Sequence, residues 1–238
     1  MEWAQLCKLA YEEPLKVYRA IPSAIPMKCN GEVAGYMTKE GRAIIVFLKG
    51  TNSLADVFED VKFTTTPFHM SDATYGRVHE GFYNEFINLK MYLLRNGLNT
   101  CSKIILTGHS MGAAVVTLMG LYCAVVFRKP VEVYTFGSPK VGDADFVHAF
   151  DTFVSKSDRY LHKEDPIPRL PTTCCLQYHH VKGGLCIEED KIVKKDSCRF
   201  LCCIFDCLEC CFGCCVRGDH NTHSIDSYLE SLNAISHT

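Results

Sequence analysis

The serine at position 110 lies in a pattern that can turn its hydroxyl into a nucleophile. Residues 108–112 read Gly-His-Ser-Met-Gly, with the short apolar run Ile104–Leu106 before them and small apolar residues after them. A strand, a sharp turn and a helix in this order form a nucleophile elbow, which points the serine hydroxyl out above the sheet. The two glycines keep side chains from colliding where strand and helix crowd together. The alternative is a Gly- and Ser-rich turn without chemistry, so the other residues that Ser110 would need have to be identified.

The base that Ser110 needs is sought among the histidines after it. A serine hydroxyl is a poor nucleophile without a base, which is itself oriented by a third group. Where this elbow occurs, the partners follow in the order serine, acid, histidine. The candidates are His148, His162, His179, His180, His220, His223 and His237. His220 and His223 are the best placed, directly before a predicted C-terminal helix, whereas His148 lies within a predicted helix.

Asp165 is the preferred acid. It follows a predicted strand and opens a loop with three prolines in six residues, 166–171. A stiff loop suits a carboxylate that must fix the tautomer and orientation of an imidazole. Asp143 and Asp145 are more typical of a helix start. Asp190 and Asp196 lie among charged neighbours and are predicted to be solvated.

An oxyanion formed at Ser110 would need preorganised donors. One is expected to be the backbone N–H of Met111, the residue after the nucleophile. The other is expected from the loop after an earlier strand, where Gly50-Thr51 follows the apolar run 43–48. Thr51 would supply its N–H, assisted by its hydroxyl. Thr51 as an ordinary turn residue is the alternative.

Composition limits the classes of protein that fit. The 238 residues, 47% hydrophobic and 22% charged, suit one globular domain spanning 1–238. Strands alternate with helices, which predicts an α/β fold with a mainly parallel central sheet. A net charge of −2 gives no basic field and argues against nucleic-acid binding. No signal peptide is visible, and the apolar stretch 113–127 is better explained as a buried helix than as a membrane span.

Local patterns predict the elements that position these residues. Strands are expected at 32–37, 42–48, 104–106, 131–136 and 159–162. Helices are expected at 3–13 and 144–153, and a further helix is expected to be opened by residues 78–82 and to run to about Arg95. Residues 20–31 and 64–76 are expected to be loops, and a hairpin is expected within 178–193. Residues 54–61 are apolar at helical spacing, which fits a surface helix or an amphipathic lid that opens at a lipid surface.

The cysteines are concentrated in one segment. Eight of the fifteen fall between Cys198 and Cys215, with adjacent pairs that argue against a simple disulfide framework and favour a reducing, cytoplasmic compartment. Spacings such as Cys207-x-x-Cys210 fit zinc, yet apolar residues fill the gaps. Three interpretations stay open for this segment: buried or partly disulfide-linked insert, membrane docking with acylated cysteines, and zinc site.

Six motifs together resemble the class 3 lipases, the fungal-lipase-like branch of the α/β hydrolases. The resemblance covers about residues 32–230. Its motifs are Val46–Asp56, Val78-His79-Glu80-Gly81-Phe82, the elbow 108–112, Phe136–Gly142, Asp165–Pro171 and His223–Leu229. Three departures stand out: Lys49 where Arg is usual, Val57 where a lid Trp is common, and Ala113 where Gly is frequent. The change at Val57 argues against strong interfacial activation.

The resemblance implies an α/β-hydrolase fold and a serine carboxyl-ester hydrolase acting on lipid esters such as mono-, di- or triacylglycerols. It implies Ser110 as nucleophile, Asp165 as acid and His223 as base, the spacing to Tyr228 favouring His223 over His220. Thr51 and Met111 become the oxyanion donors, and no metal or cofactor is expected. Contact with a membrane surface is expected through 54–61 or 198–215. The rival hypothesis is a catalytically silent scaffold that docks partners or membranes through the cysteine-rich segment.

Overall fold

A mixed sheet of eight strands carries the site. The computed structural model describes residues 2–51, 64–96, 98–171, 178–188, 191–194 and 220–236. The sheet order is β1 (Ile25–Cys29), β2 (Glu32–Glu40), β3 (Ala43–Leu48), β6 (Lys103–His109), β7 (Val131–Phe136), β8 (Lys156–His162), β9 (Gly184–Glu188) and β10 (Lys191–Lys194). The run from β3 to β9 is parallel, and the strands at both ends pair antiparallel. The predicted mainly parallel α/β sheet is confirmed.

The parallel register brings the chemistry-bearing loops to one edge of the sheet. Gly108 in β6 lies beside Leu48 of β3, and His109 lies beside Phe136 of β7. The loops that follow β3, β6, β7 and β8 therefore leave the sheet at the same edge, the carboxyl edge of its strands. Ligand sites of open α/β sheets form at this edge.

Helices cover both faces of the sheet. The helices are α1 (Glu2–Leu9), α2 (Pro14–Ala20), α3 (Glu80–Arg95), α4 (Met111–Tyr122), α5 (Ala144–Phe153) and α6 (Ile225–Ser236). Every residue of α4 after Met111 is buried, and the helix packs on β6, β7 and β3. The apolar stretch 113–127 thus begins as the buried helix that its composition predicts, and it ends in a π-helical turn at Cys123–Phe127, where Val126 is exposed. Within the described ranges, no helix has the length and apolarity to span a bilayer.

Three local predictions are wrong. Residues 64–76 are not a loop, since they hold most of a hairpin of β4 (Thr65–Met70) and β5 (Ala73–His79). Residues 20–31 contain β1, an edge strand that tolerates Pro26 in its interior. Pro14 does not simply end a helix over 3–13, because α1 stops at Leu9 and Pro14 occupies the first turn of α2, where a missing N–H costs nothing.

Other elements lie close to their predicted positions. β8 begins at Lys156 rather than Arg159. The hairpin expected within 178–193 is formed by β9 and β10, which pair antiparallel. The amphipathic segment 54–61 and the cysteine-rich segment 198–215 lie outside the described residues.

Candidate active site

Ser110 occupies the turn between β6 and α4. Its φ of 58° and ψ of −125° are rare for a residue with a side chain and form the strained elbow that the motif predicts. The crowding around it explains both glycines. A Cβ on Gly108 would lie 2.5 Å from the carbonyl oxygen of Gly112, and one on Gly112 would lie 2.4 Å from that of Lys49.

Asp165 is fixed by three donors in the loop after β8. The side chain is 1% exposed. Its Oδ1 accepts the N–H of Ile167 at 2.9 Å, and its Oδ2 accepts Nδ1–H of His223 and the hydroxyl of Tyr228, each at 2.7 Å. Burial, followed by the charge of Asp165, raises the pKa of Tyr228 well above 10, so that hydroxyl stays a donor. The carboxylate therefore has little freedom to turn.

His223 presents its second nitrogen for proton transfer. Since Nδ1 donates to Asp165, the neutral ring carries a lone pair on Nε2. Nε2 of His223 and Oγ of Ser110 are both buried and, among the residues that the structure describes, neither has a hydrogen-bond partner. A Cβ on Gly137 would lie 2.8 Å from Cε1 of His223, so the glycine after β7 makes room for this ring. A buried imidazole nitrogen and a buried hydroxyl that make no other hydrogen bond are available for proton transfer.

The loop after β3 lies against Ser110. A Cβ on Gly50 would lie 2.7 Å from Cβ of Ser110. The neighbouring Thr51 has a buried hydroxyl that, in the described part of the chain, makes no hydrogen bond. Met111 is the first residue of α4, next to Ser110. Thr51 and Met111 are therefore both near the serine, where an oxyanion would form.

The remaining histidines have other surroundings. His148 lies on α5, Nε2 of His162 bonds Ser231 at 3.1 Å, and Nε2 of His180 bonds the carbonyl of Pro168 at 2.7 Å. His220 begins the short 3-10 turn that ends at His223, and His237 lies outside the described residues. Asp143 caps α5 through the N–H of Phe146, as predicted for a helix start.

Sequence reasoning missed two residues that contact this site. Tyr11, after α1, and His109, before Ser110, form a hydrogen bond of 2.7 Å between hydroxyl and Nδ1. Only the elbow motif marks His109, and nothing local marks Tyr11, because its partner lies 98 positions away. Within the described ranges, no cluster of His, Cys, Asp or Glu side chains could hold a metal ion.

Comparisons with known proteins agree on the fold. A lipase from Rhizopus microsporus var. chinensis superimposes with a TM-score of 0.68 at 24% identity, covering 82% of this chain and 76% of that one. Lip2 lipase from Yarrowia lipolytica gives a TM-score of 0.67 at 22% identity, covering 82% and 83%. The predicted α/β-hydrolase fold is confirmed.

Sequence comparison identifies the family. A lipase from Rhizopus niveus is 27% identical over 150 residues, which are 58% of this chain and 37% of that protein. The chain thus spans well under two thirds of the length of the first curated relatives it matches. The family model for Lipase (class 3) matches residues 45–174, more than half of the chain, including Ser110 and Asp165. The chain belongs to the class 3 lipase family.

Proposed function

We propose that this protein is a serine carboxyl-ester hydrolase that cleaves lipid acyl esters through an acyl-enzyme on Ser110. The observation that carries the proposal is the buried base–acid pair beside the strained elbow. The Asp165 carboxylate accepts hydrogen bonds from His223 and Tyr228. Nε2 of His223 and Oγ of Ser110 have no hydrogen-bond partner among the described residues. A binding scaffold would have no need for this arrangement.

The reaction follows from these positions. Nε2 of His223 takes the Ser110 proton as Oγ attacks the acyl carbonyl, and Asp165 stabilises the imidazolium that forms. The N–H groups of Thr51 and Met111, with the Thr51 hydroxyl, bind the oxyanion. The intermediate collapses when the C–O bond to the alcohol breaks and His223 returns the proton to that oxygen. Water, deprotonated by His223, then attacks the acyl-enzyme and releases the fatty acid and Ser110.

Acylglycerols are the substrate class we propose. The fold relatives are named lipases, and a Fusarium solani relative is named a secreted mono- and diacylglycerol lipase. Val57 stands where a tryptophan is usual in the family, and this difference favours substrates that can be hydrolysed without strong interfacial activation of the enzyme. A panel of mono-, di- and triacylglycerols and phospholipids of several acyl lengths tests this, and preference for phospholipid over every acylglycerol would contradict it.

Substitution of the nucleophile tests the activity itself. Ser110→Ala should lower hydrolysis of a short-chain p-nitrophenyl ester by about 10³-fold or more and abolish fluorophosphonate labelling. Ser157→Ala is the matched control, because that serine is also buried and its hydroxyl makes no hydrogen bond in the described part of the chain. Hydrolysis that survives Ser110→Ala would contradict the proposal. A wild type that is neither labelled nor active would favour the rival hypothesis of a catalytically silent docking scaffold.

The location we propose is a reducing, cytoplasmic compartment, with contact to membrane surfaces through 54–61 or 198–215. Four cysteines in the described part are free thiols: Cys7, Cys29, Cys101 and Cys123. Free thiols are typical of reducing compartments. Thiol titration of the denatured, unreduced protein checks this, with hydroxylamine to release acylated cysteines. Thiols recovered only after a disulfide reductant would favour an oxidising compartment.

A further inference from the structure

The imidazole of His109 faces two parts of the site at once. It is 4% exposed and directly precedes Ser110. Its Nδ1 lies 2.7 Å from the hydroxyl oxygen of Tyr11, and its Nε2 lies 2.6 Å from the backbone carbonyl oxygen of His223. The Tyr11 oxygen also lies 2.7 Å from the backbone nitrogen of Gly50. These contacts form a continuous line of hydrogen bonds from the backbone of Gly50, in the loop after β3, to the backbone carbonyl of His223.

Only one arrangement of protons satisfies every contact. The Gly50 N–H can only donate, so the Tyr11 oxygen accepts it, and the carbonyl of His223 can only accept, so Nε2 of His109 donates to it. A neutral imidazole with its proton on Nε2 has a lone pair on Nδ1, which accepts the hydroxyl proton of Tyr11. The opposite tautomer would point a lone pair at the His223 carbonyl.

Burial keeps the two side chains in these proton states. Burial, and next the neighbouring His223, lower the pKa of His109 to about 3, so the ring stays neutral at neutral pH. Burial raises the pKa of Tyr11 above 10, so its hydroxyl stays protonated. The line of hydrogen bonds therefore keeps one direction at neutral pH.

The line also restrains positions that catalysis requires. The rings of His109 and His223 pack with centroids 4.8 Å apart, and those of Tyr11 and His109 with centroids 5.8 Å apart. At the other end, the bond to Tyr11 orients the peptide of Gly50, directly before Thr51. Small displacements of such groups lower rates strongly, since donors and base must fit a transition state together.

We propose that Tyr11 and His109 are positioning residues that hold the Gly50–Thr51 loop and the His223 backbone in a fixed relation to Ser110. This inference rests on the proposed hydrolase function. Neither side chain takes part in bond making. Tyr11 acts through the backbone N–H of Gly50, the neighbour of Thr51, and His109 acts through the backbone carbonyl of His223.

Tyr11→Phe tests the line by removing one oxygen atom. We expect kcat for a soluble ester to fall about 10- to 100-fold with KM unchanged. Tyr92→Phe is the matched control, because the Tyr92 hydroxyl also accepts a backbone N–H, that of Lys28, on another part of the fold. A merely structural role for Tyr11 would lower the melting temperature of both variants alike and leave kcat within about twofold of wild type, which would overturn the proposal.

Variants at His109 separate the two halves of the line. Glutamine can place an amide N–H where Nε2 lies and asparagine an acceptor where Nδ1 lies, so each should keep more activity than His109→Phe. Tyr11→Phe added to His109→Phe should cost far less than it costs in the wild type, because the line is already broken. Full multiplication of the two losses would contradict a shared function.

The tautomer of His109 can be measured without turnover. In ¹⁵N-histidine-labelled protein, NMR should show His109 protonated on Nε2 alone at neutral pH, in the wild type. If the wild type has this tautomer but is inactive, the proposed hydrolase function is wrong, whereas the hydrogen bonds from Gly50 to His223 are present as described. If the wild type is active but His109 carries its proton on Nδ1, or if Tyr11→Phe leaves kcat unchanged, the hydrolase function stands and the positioning role of Tyr11 and His109 is wrong.

Discussion

The carboxylate of Asp165 shows how much of this site depends on single hydrogen bonds. Its oxygens receive donors from three elements: the loop that holds Ile167, the turn that ends at His223, and Tyr228 in α6. The Tyr228 hydroxyl in turn accepts the N–H of His162, at the end of β8. The acid is thus tied to the sheet edge as well as to the base, and its orientation is fixed before substrate binds.

A glutamate outside the site makes a pH-dependent prediction at the same scale. Burial raises the pKa of Glu85, on α3, from 4.5 to about 7. The folded state therefore binds this proton more tightly than the unfolded chain, so the stabilising effect is complete below pH 4.5 and is lost as the pH rises through about 7. Relative to Glu85→Gln, the wild type should lose free energy of unfolding between pH 5 and pH 8.

Urea unfolding at the two pH values measures that difference. Glu40→Gln, at an exposed position at the end of β2, serves as the control and should track the wild type at both. A Glu85→Gln protein whose stability relative to wild type is the same at pH 5 and pH 8 would contradict the raised pKa.

Residue types and chain order identify part of the site and leave the rest out. The elbow motif, the stiff loop and the order serine, acid, histidine select Ser110, Asp165 and His223, whose catalytic roles remain proposals. The structure joins Asp165 to His223 and packs His109, next to Ser110, on the ring of His223. Tyr11 could not be selected, because a tyrosine in a polar turn has no local signature and its contacts cross the whole fold.

The elements differ in how well the sequence predicts them, and periodicity explains the difference. β3, β6 and β7 are largely buried on both faces, β3 is apolar throughout and the other two hold several apolar residues, so they are recognisable. The hairpin β4–β5 is polar and half exposed, and its pairing comes from backbone bonds that side-chain patterns do not report. β1 is an edge strand with a proline, which the same rules assign to a loop.

There is no spare volume beside Gly50, in the loop after β3, which gives a prediction for that element. Gly50→Ala would place a methyl group 2.7 Å from Cβ of Ser110 and 2.9 Å from the Tyr11 oxygen. The loop must move away, so the rates of ester hydrolysis and fluorophosphonate labelling should fall about 100-fold. Circular dichroism should show a folded protein.

A second substitution in the same loop tests whether the loss of activity comes from the added methyl group at Gly50 or from any change in this loop. Lys49→Arg introduces the residue usual in the family and leaves Gly50 unchanged, so activity should stay near wild type. If Gly50→Ala retained full activity, the close contact between this loop and the serine would not hold in solution.

At the scale of the whole molecule, the first and last described helices pack against each other behind the site. Cys7 and Ala4 of α1 share a buried cluster with Tyr228 and Leu232 of α6, and Lys8 pairs with Asp226. Trp3, the single tryptophan, contacts this cluster and a second one under the sheet, and stacks on Tyr134 with centroids 5.0 Å apart.

Trp3 therefore joins two parts of the core. Trp3→Ala should lower the free energy of unfolding by about 3 kcal/mol, because a large ring is lost from both clusters. Urea unfolding followed by circular dichroism measures this. Leu15→Ser, at a side chain that is 72% exposed, should change stability by no more than about 0.5 kcal/mol. Equal unfolding midpoints for the two variants would argue against α1 as part of the core.

The packing of α1 on α6 also sets when a newly made chain can begin to work. Tyr11 precedes Ser110 along the chain, whereas His223 and Tyr228 follow it by more than one hundred residues and are therefore translated well after it. Until then the elbow has neither its base nor the donor that orients its acid. On the mechanism proposed, a nascent chain carries an inert serine until the segment with His223 and α6 has been synthesised and has packed on α1.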